Sequence, residues 1–345
     1  GQIESLMDDP LFWSCLTCKR CTALCPSDVH FSEFVREARG LARQENRSGV
    51  CAHHETFQTL GRMMTNPGRK QNRLDWLREG LEISDDSDTI YFVGCMPYFD
   101  PIFKNLGVEG AEIAQAAVKI LNYLGVKPRV LANERCCGHD QLWQGDVDTF
   151  HALASLNLEA LKASGAKRLV TTCPECARTL RDDYPLYVEK HGLEVLHLTE
   201  LLAQTGLGLS NVLPAGSRRV TYHDPCRLGR HLGVYDAPRR ALADLGFELV
   251  EMRRHAESSL CCGTTCWSNC GQVSKNIQVE RLEEARATGA ELLVTACQKC
   301  QIHFKCAQHE PLSGENKPIP IRDLTTLIAD KLPEQDKAQE ASVGN

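Results

Sequence analysis

Ten cysteines of this chain fall into two sets of five that share one order and nearly one spacing. The first set is Cys95, Cys136, Cys137, Cys173 and Cys176, and the second set is Cys226, Cys261, Cys262, Cys297 and Cys300. In each set a single cysteine precedes a Cys-Cys-Gly motif, and a Cys-x-x-Cys motif follows. Thirty-four residues separate Gly138 from Cys173, and 33 separate Gly263 from Cys297. Thiolates at recurring spacings are typical ligands of zinc and of iron–sulfur clusters, so the pattern predicts two metal–thiolate sites.

Disulfide bonds explain these cysteines poorly. The chain has 18 cysteines and no basic-then-apolar signal pattern at its start, and thiols are kept reduced in the cytosol. Adjacent cysteines are also strained as partners for one another. Zinc in a closed site takes four ligands, as does an ordinary cubane cluster, and either would leave one cysteine of each set unused. A five-thiolate, non-cubane iron–sulfur cluster would use all five, with a zinc-stabilised scaffold as the alternative.

A third group of cysteines lies near the start of the chain, in CLTCKRCTALCP at residues 15–26. The N-terminal run is Cys15, Cys18, Cys21 and Cys25, followed by Pro26. This spacing matches the bacterial ferredoxin motif and predicts one [4Fe–4S] cubane, although the usual second run is absent. The fourth ligand would be Cys25 or Cys51, and a partner subunit or residues before Gly1 could supply another half-site. A disulfide-stapled helix pair is the alternative.

The elements that must position these cysteines follow from the hydrophobic pattern. Strands are predicted at 89–95, 129–132, 168–173, 219–226, 247–252 and 291–297, and helices at 109–125, 149–164, 237–245 and 273–288. Such alternation favours an open α/β layer with mostly parallel strands. Four cysteines close predicted strands, namely Cys95, Cys173, Cys226 and Cys297. Because ligands bind at that edge of open α/β sheets, both sets are expected there.

The chain contains an internal duplication. ASGAKRLVTTCPEC at 163–176 aligns without gaps on ATGAELLVTACQKC at 287–300. The fold class expected is therefore α/β, with two duplicated open domains related by a pseudo-two-fold axis and preceded by a small helical ferredoxin-like domain. The predicted boundaries are 1–82 for the helical [4Fe–4S] domain, 89–212 and 213–332 for the duplicated domains, and 333–345 for a disordered tail.

The two sets resemble the CCG, or cysteine-rich, domain pair of heterodisulfide reductase catalytic subunits, a pattern of anaerobic metabolism. It also occurs in iron–sulfur subunits of anaerobic glycerol-3-phosphate dehydrogenase, glycolate oxidase and lactate-utilisation systems. The resemblance covers about residues 89–310. It implies one non-cubane [4Fe–4S] cluster on each set, the two facing each other across a substrate disulfide. The N-terminal run resembles half of the helical ferredoxin domain that precedes the pair in fused members.

Other features limit the partners. Neither GxGxxG after a strand nor GxxxxGK[ST] occurs, so we expect no flavin or NAD on this chain and a redox partner subunit carrying flavin or iron–sulfur groups. A net charge of -6 and a pI near 6.1 give no reason to expect nucleic acid. No apolar run reaches the roughly 18–20 residues of a membrane span, so a cytoplasmic protein is expected.

Two polar residues, His223 and Arg227, flank Cys226 in HDPCR and are candidates for catalysis at an open cluster edge. Cys266, Cys270 and Cys306 lie outside the shared sets, as packing residues or as neighbours of the second cluster.

The sequence is compatible with two functions. The chain could reduce a small-molecule disulfide between the two clusters, with electrons entering through the cubane. It could instead relay electrons between a flavoprotein dehydrogenase and a quinone-linked or reductase partner.

Overall fold

The first repeat, residues 89–207, is built on a parallel sheet. The computed structural model describes residues 2–207, 218–268, 270–309 and 318–333. The strands of this repeat are β1 (Thr89–Tyr91), β2 (Arg168–Thr171) and β3 (Glu194–His197), in the order β1-β2-β3. On the free side of β1, Ile90 forms a single parallel bridge with Arg129. With that bridge the spatial order is Arg129, β1, β2, β3.

The second repeat, residues 218–333, has the same order of strands. They are β4 (Arg219–His223), β5 (Glu248–Leu249), β6 (Leu292–Thr295) and β7 (Ile321–Asp323). All pair in parallel in the order β5-β4-β6-β7. Together with the flanking helices, these sheets confirm the predicted α/β fold class, and their shared order is the structural counterpart of the sequence duplication.

Sixteen helices surround the sheets in the described part of the chain. The N-terminal ones are α1 (Gln2–Asp8), α2 (Pro10–Ser14), α3 (Arg20–Ala23), α4 (Phe31–Gln44) and α5 (Thr56–Met64). The first repeat adds α6 (Met96–Ile102), α7 (Gly110–Tyr123), α8 (His139–Trp143), α9 (Val147–Ser164), α10 (Pro174–Arg178), α11 (Tyr184–Tyr187) and α12 (Leu198–Thr205). The second repeat adds α13 (Asp236–Asp244), α14 (Gln272–Ala287), α15 (Gln298–Gln308) and α16 (Leu324–Ala329). Among these, no helix is both long and apolar enough to cross a bilayer.

One apolar core is shared by the two repeats. Helix α7 packs against α16, and α12 packs against α13, so each contact joins the two repeats. The cluster of buried side chains between them includes Val170 and Leu198 from the first repeat and Tyr222 and Leu324 from the second. Full burial of each such side chain contributes roughly 1.5–3 kcal/mol. This shared core holds the two repeats in one arrangement.

The structure departs from the predicted elements in several ways. The strands end before their cysteines, because the chain turns away from the sheet first; Gly94, for example, has a φ of 69° between β1 and Cys95. The predicted strand at 129–132 is reduced to the bridge at Arg129. Strands β3 and β7, with the helices that follow them, were not predicted, since each is only three or four residues long and carries no cysteine. The predicted boundary at 212/213 and residues 334–345 of the predicted tail lie outside the described residues.

Candidate metal centres

The five thiols of the first set meet at the ends of β1 and β2. Cys95 is the residue before α6, and Cys173 is the residue before α10. The Cys95 thiol donates to Cys136 Sγ at 3.1 Å. The series continues through contacts of Cys137 with Cys136 and of Cys176 with both Cys137 and Cys173. Residues separated by up to 81 positions therefore form one continuous group of sulfur atoms.

Two glycines allow this close approach. Gly94 has a left-handed φ of 69°, and a Cβ there would lie 2.9 Å from Cys176 Sγ. Gly138 has a φ of 83°, and its Cβ would lie 2.8 Å from the Phe150 ring. A side chain at either position would meet both backbone strain and a steric clash. The glycine of Cys-Cys-Gly is thus required by packing.

The sulfur contacts shift the thiol pKa values in opposite directions. Hydrogen bonds from Cys137 and Cys95 hold the pKa of Cys136 well below its ordinary value. The bond that Cys95 donates to Cys136, together with burial, raises the pKa of Cys95 well above its ordinary value. Cys136 is therefore the sulfur of this trio that most readily becomes a thiolate, the form that binds metals.

The second set repeats this arrangement. The Cys261 sulfur lies within hydrogen-bonding reach of Cys226 and Cys262, and the Cys300 sulfur lies within reach of Cys262 and Cys297. The pKa of Cys262 is well below its ordinary value because Cys261 and Cys300 donate to it. His303 adds a polar neighbour to Cys262, with Nδ1 3.4 Å from Sγ. By its place in the Cys-Cys-Gly motif, Cys262 corresponds to Cys137. The two sets differ in this respect, because the cysteine with the lowered pKa in the first set is Cys136.

The donor chemistry of both sets fits an iron–sulfur cluster. Each set gathers five sulfur atoms, more than the four ligands of a structural zinc. A cavity opens beside the first set, and the second repeat helps to line it through Gln298 and Lys299. Both amide atoms of Gln298 lack a hydrogen-bond partner within the described ranges although the residue is 4% exposed.

The N-terminal run lies against the second set. Cys18 accepts a hydrogen bond from the Cys261 thiol, which lowers the pKa of Cys18 to about 5. Burial raises the pKa of Cys15, and the nearby charges of Cys18 and Cys21 add to that effect. Three members of the run therefore lie close together. Through Cys18 they are in contact with a cysteine more than 200 positions away.

The two candidates for the fourth ligand have different surroundings. Cys25 accepts hydrogen bonds from the backbone amides of Val29 and Ser27, which lower its pKa. Cys51 donates to Gln58 Oε1 at 3.1 Å and accepts from the Glu55 amide at 2.8 Å. Each sulfur thus has hydrogen-bond partners within its own segment of the chain.

A buried ionic group joins the two sets. Lys299, inside the second Cys-x-x-Cys motif, donates to Asp140 Oδ1 at 2.6 Å and Oδ2 at 2.7 Å, and it pairs with Glu175 inside the first such motif. Although burial acts against them, these contacts hold the pKa of Asp140 below and that of Lys299 well above the ordinary values. The Lys299 ammonium also lies 5.1 Å from the centre of the Trp267 ring.

His139 and Arg227 extend this group, which together with Asp140, Glu175 and Lys299 we call the interdomain network. Arg227 Nε donates to His139 Nε2 at 2.8 Å, and His139 Nδ1 lies 3.0 Å from Asp140 Oδ1. Arg227 also donates to Thr17 Oγ1 at 2.8 Å, beside Cys18. The network therefore connects the first set, the second set and the N-terminal run.

The two polar residues proposed from HDPCR have different environments. Arg227 belongs to the interdomain network and stacks over the Trp143 ring at 4.4 Å. His223 is fully buried, accepts from Arg281 Nε at 3.2 Å and packs edge-on against Phe304. Burial and Arg281 lower the pKa of His223 to about 3, so the ring is neutral. These contacts favour a structural role for His223.

Sequence reasoning missed Asp140, Glu175 and Lys299. The available signal was a charged residue inside each Cys-x-x-Cys motif and another shortly after the first Cys-Cys-Gly.

Of the extra cysteines, Cys266 is fully buried with a left-handed φ of 51°, and burial raises its pKa to about 12. Cys306 accepts from Lys275 at 3.3 Å, and Cys270 lies 4.0 Å from Thr264 Oγ1.

Comparisons with known proteins agree with this arrangement. The model of the cysteine-rich domain family, CCG, matches residues 89–181 and 220–305. The chain is 33% identical over 315 residues to a component of the dihydromethanophenazine:CoB–CoM heterodisulfide reductase of Methanosarcina mazei, covering 87% of this chain and 73% of that relative. It is 26% identical over 320 residues to a component of the fumarate reductase (CoM/CoB) of Methanothermobacter marburgensis, covering 91% and 61%. It is 30% identical over 312 residues to the EtfAB:quinone oxidoreductase of Syntrophomonas wolfei, covering 84% and 42%.

Proposed function

The chain belongs to the family of proteins with paired cysteine-rich CCG domains, and on that premise we propose that it reduces a disulfide as one subunit of a larger redox complex. It is an iron–sulfur oxidoreductase subunit related to a component of heterodisulfide reductase. The observation that carries the finer proposal is the meeting of two five-thiol sets and the N-terminal run around one interdomain network.

The proposal assigns a cofactor to each group of cysteines. The first set and the second set would each hold a non-cubane [4Fe–4S] cluster, and the N-terminal run would hold a cubane. When bound, these clusters would supply one-electron storage, and cleavage of a disulfide consumes two electrons and two protons to give two thiols. The contact between Cys18 and Cys261 supports entry of electrons on the side of the second set.

The residues between the sets have a defined task in this proposal. Negative charge grows on both sulfur atoms as a disulfide is reduced, and a buried cation stabilises such charge far better than water-exposed groups do. Arg227 is a buried cation beside the second set, whereas the charge of Lys299 is already balanced by Asp140 and Glu175. Gln298 adds an unpaired amide at the cavity of the first set, where it would orient a polar group of the substrate.

An electron relay is the second candidate function. Two observations favour it: a quinone oxidoreductase is among the relatives, and the interdomain network already occupies space between the two sets. In a relay the same cysteines hold the same clusters, but no substrate binds between them. The redox partner would be a flavin- or iron–sulfur-containing subunit, and the cytoplasm is the proposed location.

Iron analysis and spectroscopy together test both proposals. Anaerobically prepared protein should contain about twelve iron atoms per chain if three four-iron clusters are bound. One zinc per set, with little iron, would refute the cluster assignment.

Reduced protein mixed with a panel of disulfides should develop a new electron paramagnetic resonance signal if a substrate thiolate binds a cluster. An unchanged spectrum with every disulfide, combined with electron transfer to a quinone, would establish the relay instead.

A further inference from the structure

A cavity of about 50 Å³ lies where the N-terminal helices meet both repeats. The N-terminal part contributes three arginines to its wall, the first repeat contributes Gln144 and the second contributes Ser268. The volume is several times what one water molecule needs, roughly 10–15 Å³ by this kind of measure.

Two of the arginines have a buried donor without a partner. Arg39 and Arg43 are four residues apart on α4, so their side chains lie on one face of that helix. Within the described residues, the Nε atoms of both are enclosed and make no hydrogen bond. Buried donors in folded proteins nearly always have an acceptor, so these two donors are available to an occupant of the cavity.

The rest of the Arg39 guanidinium is already engaged. Its Nη1 donates to the Trp143 carbonyl at 3.1 Å, and its Nη2 donates to the carbonyls of Trp13 at 2.9 Å and Cys15 at 2.8 Å. These bonds hold the side chain rigidly, with 1% of the residue exposed. Its position in the cavity wall is therefore set by the fold and does not depend on a ligand.

The cavity carries uncompensated positive charge. Among the described residues that line the cavity, Glu55 supplies the carboxylate, and it is already paired with Arg62 at 3.2 Å. Arg39 and Arg43 form no ion pair with a described carboxylate, and the thiols of Cys266 and Cys15 are the negative groups that act on the charge of Arg39. A water molecule could accept a hydrogen bond from either Nε, but it would bring no negative charge to the Arg43 side of the cavity. An anion satisfies both requirements.

We propose that this cavity is a binding site for a small oxyanion or carboxylate, held by Arg39 and Arg43 with Ser48 at its edge. The anion would join the N-terminal helices to Gln144 and Ser268, and so to both repeats. The site is separate from the two five-thiol sets. Cys51 also lines the cavity, but its sulfur is already hydrogen-bonded to Gln58 and to the Glu55 amide. The proposed anion therefore does not use Cys51 as a ligand.

Calorimetric titration of the full, cluster-loaded chain tests the site, with inorganic phosphate, sulfate and acetate as separate probes and chloride as the control for ionic strength. We expect saturable binding of at least one probe, weakened at least tenfold in Arg43→Gln and partly restored in Arg43→Lys. Arg240→Gln is the matched control, because Arg240 is an exposed arginine on α13. The phosphate, sulfate and acetate arms distinguish an oxyanion from a carboxylate ligand.

Crystals soaked in selenate give an independent location for the anion. An anomalous selenium peak within hydrogen-bond distance of Arg39 and Arg43 would support the site. No binding of any probe, or equal binding by Arg43→Gln and Arg240→Gln, would overturn it. Iron content is measured on the same samples, so a failure of the anion site is distinguished from a failure of cluster assembly.

Discussion

The ammonium of Lys299 lies 2.6 Å from Asp140 Oδ1, although 159 residues separate them in the chain. Lys299 stands inside the second Cys-x-x-Cys motif, and Asp140 stands shortly after the first Cys-Cys-Gly motif. Both side chains are nearly excluded from solvent, at 8% and 11% exposure. One ion pair therefore ties the loops of the two five-thiol sets together.

Lys299→Met should destabilise the protein strongly, because it leaves Asp140 and Glu175 buried without their cation. Breaking a buried pair in this way typically costs about 3–5 kcal/mol. The measurement is anaerobic chemical denaturation of the cluster-loaded chain. Lys162→Met is the matched control: its pair with Glu189 is about half exposed and should be worth at most about 1 kcal/mol. Equal losses of unfolding free energy in Lys299→Met and Lys162→Met would show that the buried pair contributes no more to stability than the exposed one.

Gly94→Ala should impair the first set beyond the effect of backbone strain alone. The added Cβ would lie 2.9 Å from Cys176 Sγ at a φ of 69°. Gly125 has a similar φ of 78° with nothing within 4 Å, so Gly125→Ala reports the strain by itself, about 1–2 kcal/mol. We expect about four fewer iron atoms per chain in Gly94→Ala and full iron in Gly125→Ala. Full iron in both would show that Cys176 can move aside freely.

Cys261→Ala should remove the cluster of the second set while the first set stays loaded. The Cys261 sulfur lies within hydrogen-bonding reach of Cys226, Cys262 and Cys18, so it is the central sulfur of that group. The expected loss is about four of twelve iron atoms, with the paramagnetic signal of the N-terminal cubane still present but altered by loss of the Cys18 contact. Cys306→Ala, outside both sets, serves as the control and should keep all its iron. Retention of the second-set signal in Cys261→Ala would refute this ligand assignment.

The fourth ligand of the N-terminal cubane can be identified by two single substitutions. We expect Cys25→Ala to lose the cubane signal and Cys51→Ala to keep it. Cys25 belongs to the ferredoxin motif and its backbone hydrogen bonds lower its pKa, which favours the thiolate, whereas the Cys51 thiol uses its proton in a bond to Gln58. Low-temperature paramagnetic resonance and iron content give the answer. The opposite result would assign the ligand to Cys51, and loss of the signal in neither variant would point to a ligand from outside the chain.

Much of the site could be predicted from local sequence. Cysteine spacing predicted both five-residue sets, and the hydrophobic pattern placed Cys95, Cys173, Cys226 and Cys297 at the ends of strands that in the structure stop two to four residues earlier, as β1, β2, β4 and β6. Motif spacing and strand ends are both visible in short segments of sequence. In a parallel sheet the carboxyl ends of the strands meet at one edge, so cysteines at those ends come together wherever such a sheet forms. The short strands β3 and β7 were missed for the converse reason. Their three or four residues carry too little periodicity to be distinguished from loops.

By itself, then, the sequence determined the duplicated α/β fold and the two groups of sulfur atoms. Only the tertiary structure decided that Cys18 touches Cys261, that Lys299 pairs with Asp140, and that His223 is enclosed by Arg281 and Phe304. Motif spacing reflects the geometry of a single turn or strand end. Contacts between the repeats depend instead on how α7, α12, α13 and α16 pack around the shared core, which is the sum of many distant apolar contacts.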